Sequence, residues 1–265
     1  LLKKLILRQL QIVKYLQIVL TVIKVSELLK HYQVTYFDEV SSTMRTIKSS
    51  NKPAIHIAKS QTKGIGQYGR EWLSQPEKGI YFSLRNELVL NDDQYLLAMA
   101  QLGAVTMAMV LNDMGIDVTL KWPNDIYFGQ KKLAGVIVEV IHFKHKRCEY
   151  ILGIGLNLKA PSSINNAIGL NEISKQNIHP DELIEAFVRR WDKHVTMFSK
   201  SGLTDFYTFW CQHDYLANKV LTINSEGVET VGFSDGIDAL GQLKLTDKKG
   251  VDLSFGHQAS IINIG

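Results

Sequence analysis

The chain has 265 residues, of which 45% are hydrophobic, so it is long enough for one large domain, or for a large and a small one, around a real core. Its formal net charge of +4 is compatible with anionic substrates but does not require a nucleic-acid partner. The two cysteines, Cys148 and Cys211, lack zinc-site spacing and argue against a disulfide framework, which favours a reducing, cytoplasmic location.

The first 30 residues, LLKKLILRQLQIVKYLQIVLTVIKVSELLK, are apolar and basic. No small-residue cleavage site follows an apolar run, so they do not resemble a signal peptide. The uncharged run between Lys14 and Lys24 is 9 residues long, against the roughly 20 that a membrane-spanning helix needs. The pattern favours an amphipathic helix or two that pack on the body of the protein. A peripheral membrane helix and a remnant of a larger N-terminal module remain open alternatives.

Between residues 34 and 158 the sequence predicts short strands around one long buried helix. Tight turns join most of the strands, which favours antiparallel pairing over β-α-β crossovers. The long helix is apolar on all sides, and Gly115 marks its end. In chain order, the predicted elements are a strand at Val34–Asp38, a short helix from Ser41 or Ser42 to about residue 49, strands at Ala54–Ser60 and Ile80–Asn86, the long helix at Gln94–Met114, and strands at Asp117–Trp122, Ile126–Phe128, Leu133–Ile141 and Glu149–Leu158.

The remainder of the chain changes character near Ala217. A helix is predicted from Pro180 to about residue 200, with acidic residues in its first turns, and a short one at Thr204–Cys211. After residue 216 the chain consists of short strands and glycine turns, which indicates a small all-β domain. The predicted division is therefore an N-terminal helical extension at 1–33, a main domain at 34–216 and a small C-terminal domain at 217–265.

A glycine-rich loop, QTKGIGQYGREW, occupies residues 61–72. A dinucleotide-binding loop of this kind needs a strand before it and a helix directly after it. No helix of useful length fits before the next predicted strand, so the dinucleotide interpretation fails, and no Gly-Lys-Ser/Thr closes a P-loop. The glycines predict a loop between two strands that lets the backbone approach a ligand. A flexible hairpin without a ligand is the alternative.

Two further motifs, KWPND at 121–125 and KLAGVIVE at 132–139, each have a plain structural explanation. Pro123 holds the chain extended at Trp122, which predicts a rigid apolar surface for a ligand. The alternative is an ordinary hairpin turn with no ligand. Ala134 and Gly135 are small enough for a ligand to pack flat on the strand. The same pattern is also typical of an ordinary core strand that binds no ligand.

Glycines and hydroxyls mark two more segments. In GIGLN, residues 153–157, paired glycines weaken a strand and suggest that a ligand or another chain segment lies close. In SSTM, residues 41–44, the hydroxyls are typical of helix caps but can also hold a small polar ligand.

The order of these five motifs resembles that of the biotin protein ligases, from about residue 34 to the end of the chain. KWPND with KLAG at this spacing is the specific part of the signature, and FSDGIDALGQLKL is similar to the family's small C-terminal domain. The resemblance implies an α+β fold: a central mixed, mostly antiparallel sheet with helices on one face, of the class II synthetase-like type, and a small SH3-like β-barrel. It also implies a biotin–[acetyl-CoA-carboxylase] ligase of the monofunctional type.

The resemblance also assigns roles to residues. Lys132 and Arg70 would be catalytic, and Asp125 would help to place Mg²⁺. The residues implied for biotin are Ser42, Thr43, Met44, Gln61, Gly64, Ile65, Gly66, Gln67, Lys132 and Gly135, with Ala134 leaving room beside them. Those implied for ATP are Arg70, Trp72, Lys121, Trp122, Asn124, Lys132 and Asn157.

The substrates implied are biotin and ATP with Mg²⁺, and the protein partner is the biotin carboxyl carrier protein of acetyl-CoA carboxylase. A homodimer is possible, while neither DNA nor a membrane is expected, because no complete DNA-binding module is visible before Val34. The family loop usually reads Gly-Arg-Gly-Arg-x-Gly-Arg, whereas Ile65 and Gln67 stand at its first two arginines here. Gln67 cannot supply a charge, so we expect weaker retention of the adenylate, or compensation by Lys63. A lipoate–protein ligase, a non-catalytic biotin-binding regulator and a DNA-binding repressor are the rival interpretations.

Overall fold

A computed structural model describes residues 30–265 of the chain. The predicted N-terminal helical extension therefore lies, as far as residue 29, outside the described residues. Residues 30–32 form a turn that leads into the first strand.

The main sheet has seven strands in the order β1-β2-β5-β9-β8-β7-β6. Only β1 and β2 run parallel, and every other neighbouring pair is antiparallel. This confirms the prediction of a mixed, mostly antiparallel sheet. The strands are β1 (Gln33–Val40), β2 (Ala54–Gln61), β5 (Gly79–Val89), β6 (Thr119–Lys121), β7 (Asp125–Phe128), β8 (Lys131–Lys144) and β9 (Arg147–Asn157), and a separate two-stranded hairpin contains β3 (Gly64–Ile65) and β4 (Glu71–Trp72).

Helices cover the two faces of this sheet unequally. The long helices α2 (Met99–Asp113) and α4 (Pro180–Ser201) pack on one face, where alternate residues of β9 such as Leu152 and Ile154 join the main core. The short helix α1 (Thr43–Thr46) packs on the opposite face, where Met44 and Ile151 form a small second cluster. The prediction of helices on one face thus holds for the long helices but is wrong for α1.

The segment Asp93–Asp113 is long and apolar enough to cross a membrane by length and composition. Its side chains are largely buried against the sheet and α4, because this is the central helix of the core. A positive φ of 79° at Gly115 ends it, as the sequence predicts.

The C-terminal part contains a five-stranded antiparallel sheet in the order β13-β12-β11-β10-β14. Its strand pairings do not join β13 to β14 within the described residues, so closure into an SH3-like barrel stays a prediction. One hydrophobic cluster continues from the main sheet through Leu120 and Leu216 to Leu221, and the domain boundary at 216 likewise stays a prediction. The remaining elements are α3 (Leu170–Ile173), α5 (Tyr207–His213), β10 (Val220–Ser225), β11 (Val228–Ile237), β12 (Leu243–Asp247), β13 (Asp252–Phe255) and β14 (Ser260–Ile264).

Candidate active site

A cavity of about 270 Å³ lies on the α1 face of the main sheet. The β3–β4 hairpin, the start of α1, the 121–125 turn and the middle of β8 and β9 enclose it. Most of the site residues predicted from the sequence line it, although they come from four separate segments, 42–44, 61–72, 121–125 and 132–135. They are Ser42, Thr43, Met44, Gln61, Ile65, Gly66, Gln67, Arg70, Trp72, Lys121, Trp122, Asn124, Asp125, Lys132 and Gly135.

Three predicted residues do not line the cavity. Gly64 allows the hairpin to close, because an added Cβ would come within 2.4 Å of the Trp72 carbonyl oxygen. Asn157 is buried, and its Nδ2 donates to the Lys132 carbonyl oxygen at 3.4 Å. Ala134 faces the main core on the other side of the sheet. Their roles in direct ligand contact are therefore not supported, and Asn157 instead supports the strand that carries Lys132.

The sequence reasoning missed part of the lining. Gly153 and Gly155 carried a signal, since paired glycines in a strand indicate a close approach. The C-terminal residues carried none, because nothing in the local pattern of β14 distinguishes them from an ordinary short strand. The residues missed are Tyr68, Glu71, Pro123, Val136, Ile137, Gly153, Ile154, Gly155, Ala259, Ser260 and Ile261.

One end of the cavity is polar and uncharged. Ser42 stands at the N-cap position of α1, yet its side chain makes no capping hydrogen bond, which corrects the prediction of a hydroxyl cap. Its Oγ is buried and has no hydrogen-bond partner among the described residues. A buried hydroxyl without a partner is costly, so a ligand that bonds it would be favoured.

Gln61 completes this polar end. The Thr43 backbone N–H and hydroxyl both point at Gln61 Oε1, at 2.8 and 3.2 Å. Because an amide nitrogen cannot accept, these donors fix the amide with its oxygen towards Thr43. The Thr43 hydroxyl also lies 2.8 Å from Ser83 Oγ, so the start of α1 is tied to β2 and β5.

The floor of the cavity is a pair of glycines. Gly135 of β8 and Gly155 of β9 are direct register partners, so no side chain covers the sheet there. The indole of Trp72 lies in that space, since a Cβ at Gly155 would come within 2.4–2.7 Å of three indole atoms. The indole Nε1 is buried without a partner among the described residues. The glycines thus create a flat apolar slot, the glycine slot, which the Trp72 indole fills, so that Trp72 itself forms an apolar wall of the cavity.

A β-bulge aims Lys132 into the cavity. The β7–β8 register shifts between Ile126 and Tyr127, and both Leu133 and Ala134 face the main core. Strict alternation would point Lys132 away from the face that Gly135 occupies. The extra residue places both on the cavity face, which is a common use of a bulge.

The other end of the cavity is cationic. Lys132 Nζ lies 2.6 Å from Asp125 Oδ1 and 5.2 Å above the Trp72 ring. Lys121 Nζ lies 3.3 Å from the Tyr127 hydroxyl, and burial lowers the pKa of Lys121, with a smaller lowering from the nearby Lys132. Arg70 is exposed, with its guanidinium 5.7 Å from the Tyr68 ring. Anionic groups of a ligand would be stabilised here.

The 121–125 turn is held from behind by the C-terminal sheet. The Trp122 indole N–H donates to the Gly241 carbonyl oxygen at 3.0 Å, and the His257 ring stacks on Trp122 at 6.0 Å and 8°. Asn124 Nδ2 donates to the Val136 carbonyl oxygen. Both side-chain N–H groups donate to backbone carbonyl oxygens and are therefore not free to bond a ligand. Trp122 and Asn124 thus shape the wall of the cavity.

The glycine-rich segment folds as a hairpin in which no helix follows the loop. The Gly66 N–H donates to the Arg70 carbonyl oxygen at 2.7 Å, and Tyr68 and Gly69 have φ values of 58° and 73°. This agrees with the prediction of a loop between two strands and excludes a dinucleotide-type turn. Gln67 and Ile65 both line the cavity from this hairpin.

The residues present do not form a resident metal site. The described part of the chain has no group of three or more His, Cys, Asp or Glu side chains that could hold an ion. Asp125, the predicted metal ligand, pairs with Lys132, and its metal role stays a prediction.

Comparison with known proteins identifies a group of relatives. Residues 35–157 match the Biotin/lipoate A/B protein ligase family. The bifunctional ligase/repressor BirA of Escherichia coli K12 is 28% identical over 194 residues, which are 71% of this chain and 60% of the relative, so the chain spans less than two thirds of that protein. The biotin–[acetyl-CoA-carboxylase] ligase of Paracoccus denitrificans is 23% identical over 207 residues, 73% of this chain and 84% of the relative.

A solved structure also resembles most of this chain. The biotin protein ligase from Aquifex aeolicus in complex with biotin and ATP superposes with a TM-score of 0.73 and 26% identity, covering 86% of this chain and 98% of that one.

Proposed function

Residues 35–157 are a domain of the biotin/lipoate A/B protein ligase family, and on that premise we propose that the protein is an ATP-dependent biotin–protein ligase. It would form biotinyl-5'-AMP and then transfer biotin to a lysine of a biotin carboxyl carrier protein. One observation carries the proposal: a single cavity joins the Ser42 hydroxyl, which has no hydrogen-bond partner among the described residues, the apolar surface of Trp72 over the glycine slot, and Lys132. Biotin has a polar urea, an apolar ring and a carboxylate in that order.

The first step needs cations because two anions must meet. The biotin carboxylate attacks the α-phosphate of ATP, forming a C–O–P linkage while pyrophosphate leaves. Lys132, at the mouth of the glycine slot, is placed to offset the repulsion between the two anions, and Lys121 is placed to stabilise charge on the leaving group. The relatives solved with biotin and ATP are consistent with these two substrates.

The second step needs a dry site. The amine of the carrier lysine attacks the acyl carbon of the mixed anhydride, an amide forms, and AMP leaves with the bonding electrons. Such an anhydride is open to hydrolysis, so exclusion of water matters more than activation of the amine. Trp72 fills the glycine slot, and the β3–β4 hairpin that carries it lines this side of the cavity, where it would supply that barrier.

The decisive experiment is biotin-dependent exchange of labelled pyrophosphate into ATP. The wild type should support exchange, Lys132→Ala should abolish most of it, and Lys131→Ala should leave it unchanged, because Lys131 is exposed outside the cavity. Exchange that follows lipoate instead of biotin would identify a lipoate–protein ligase. No exchange, with biotin still bound, would identify a non-catalytic biotin-binding protein.

A further inference from the structure

Helix α1 presents Ser42 and Thr43 to the cavity, yet its first turn has no side-chain cap. It is only four residues long and continues as a 3-10 turn, Ile47–Ser49. So short a helix has little stability of its own. The contacts that fix it in place are therefore of functional interest.

Arg85 of β5 binds the end of this turn. Its Nη1 donates to the carbonyl oxygens of Ile47 and Ser50, at 3.3 and 2.6 Å, and to that of Lys48. Its Nε donates to Glu149 Oε1 at 2.8 Å. The guanidinium places positive charge at the carbonyl end of the helix, where it is favourable, and Glu149 orients the fork.

His56 of β2 binds the same turn from its other side. His56 Nδ1 lies 2.9 Å from the Thr46 hydroxyl, and Nε2 lies 2.8 Å from Ser50 Oγ. The Thr46 hydroxyl gives its proton to the Thr43 carbonyl oxygen at 3.2 Å. With that proton given to Thr43, the hydroxyl accepts from Nδ1–H, and Nε2 accepts from Ser50. The ring is buried, and both of its nitrogens are bonded to this turn.

These two side chains do not line the cavity, so any influence on a ligand passes through α1. On its cavity side, Thr43 of the helix bonds to Gln61 and Ser83, and Met44 lies against Gly153 and Ile151. A displacement of about 1 Å is enough to misplace a hydrogen-bonding group. The Arg85 contacts oppose that displacement.

We propose that Arg85 and His56 are positioning residues for biotin: they clamp the end of α1 and thereby set the position of Ser42 and Thr43 against the ligand. This inference rests on the proposed function. It predicts a selective effect, because the cationic end of the cavity belongs to β8 and the 121–125 turn, which neither residue contacts.

The test compares Arg85→Met, Arg85→Lys and His56→Asn with the wild type. Biotin affinity is measured by calorimetry without ATP, and KM for ATP by pyrophosphate exchange at saturating biotin. Loss of one buried charge-assisted interaction corresponds to about a tenfold weaker biotin affinity in Arg85→Met, with KM for ATP and kcat within about twofold of the wild type. Arg85→Lys keeps one charged donor and should therefore bind biotin more tightly than Arg85→Met. His56→Asn also keeps one donor, and its biotin affinity should lie between those of Arg85→Met and the wild type.

Arg147→Met is the matched control, because Arg147 is also on this sheet but pairs with Glu87 away from α1. Unchanged biotin affinity in Arg85→Met would overturn the inference, as would an equal loss for biotin and ATP. If Arg85→Met does not fold, the same comparison with Arg85→Lys decides. A wild type that does not bind biotin would overturn the proposed function itself, and with it this inference.

Discussion

Lys132 and Asp125 form an ion pair across the mouth of the cavity, with 2.6 Å between Nζ and Oδ1. Both side chains are partly exposed, at 31% and 23%, so an entering anion can reach the ammonium group without unfolding anything. Asp125 and Gly135 are register partners, which places the carboxylate beside the glycine slot. Asp125 therefore orients the Lys132 ammonium group at the mouth of the cavity before a ligand binds.

Asp125→Asn tests whether this carboxylate orients Lys132 or holds metal. We expect kcat/KM for pyrophosphate exchange to fall by about tenfold or more, because the flexible lysine loses its orienting partner. Added Mg²⁺ should not restore the rate if the role is orientation. Recovery at high Mg²⁺ would instead support the metal role predicted from the sequence.

Gly155→Ala tests whether Trp72 must lie flat on the sheet. The new Cβ would meet three atoms of a rigid indole at 2.4–2.7 Å, so the indole must move. Biotin affinity should fall by about tenfold or more, at a cost typical of overpacking.

Gly153→Ala, two residues earlier, is the control for that substitution. Its Cβ would meet Met44 Sδ at 2.6 Å, but a methionine end can swing aside. Calorimetric titration with biotin should show the smaller loss in Gly153→Ala. Equal losses would mean that moving Trp72 costs no more biotin affinity than moving Met44, which would contradict the prediction.

Periodicity recovered most strands because their side chains alternate between a core face and a second face. The bulge beside Lys132 could not be predicted in this way, because it breaks the alternation. Its only sign in the sequence is that two consecutive apolar residues, Leu133 and Ala134, both face the core. The position of α1 on the second face, the Lys132–Asp125 pair and the contribution of Ser260 depend on which segments meet in space. Pattern within one segment does not contain that information.

Gln67→Arg tests the departure in the glycine hairpin. Gln67 lines the cavity but carries no charge, whereas arginine would add a cation with a planar fork beside the phosphate region. We expect slower release of biotinyl-AMP from the variant, measured as dissociation of labelled intermediate after gel filtration. Ile65→Leu, also on the cavity wall but without added charge, should release it at the wild-type rate. An unchanged release rate in Gln67→Arg would refute the idea.

Gly241→Ala tests the attachment of the C-terminal sheet to the 121–125 turn. The Gly241 carbonyl oxygen accepts from Trp122 Nε1 and from Gln101 Nε2, its φ is 75°, and an added Cβ would meet the Gln101 amide at 2.6–2.8 Å. We expect a loss of about 2–4 kcal/mol in the free energy of unfolding and a raised KM for ATP.

Gly250→Ala separates backbone strain from the clash. Its φ of 79° is similar, but nothing lies within 4 Å of the new Cβ, so only about 1 kcal/mol should be lost. Urea denaturation gives both values. If the free energy of unfolding of Gly241→Ala falls by no more than that of Gly250→Ala, the contact between Gly241 and Trp122 does not hold the 121–125 turn.

His194 makes the stability of the fold depend on pH. Its Nδ1 lies 2.9 Å from the Thr106 hydroxyl, which gives its own proton to the Leu102 carbonyl oxygen at 2.7 Å, so the neutral ring donates from Nδ1. Burial first, then the positive Arg190 and Lys193, lower the pKa of His194 to about 4. The unfolded chain binds a proton near pH 6.5, so the stability contributed by neutral His194 is complete above that pH and is lost as the pH falls towards 4.

His194→Asn should reduce this dependence. The asparagine Nδ2 can replace the Nδ1–H donor to Thr106 but does not titrate, so the difference in Tm between pH 7.5 and pH 5 should be smaller than in the wild type. A remainder is expected, because burial also lowers the pKa of His56 and of His257. Thermal unfolding followed by circular dichroism at the two pH values gives the comparison. An equal difference in both proteins would show that His194 is protonated without cost in the folded state.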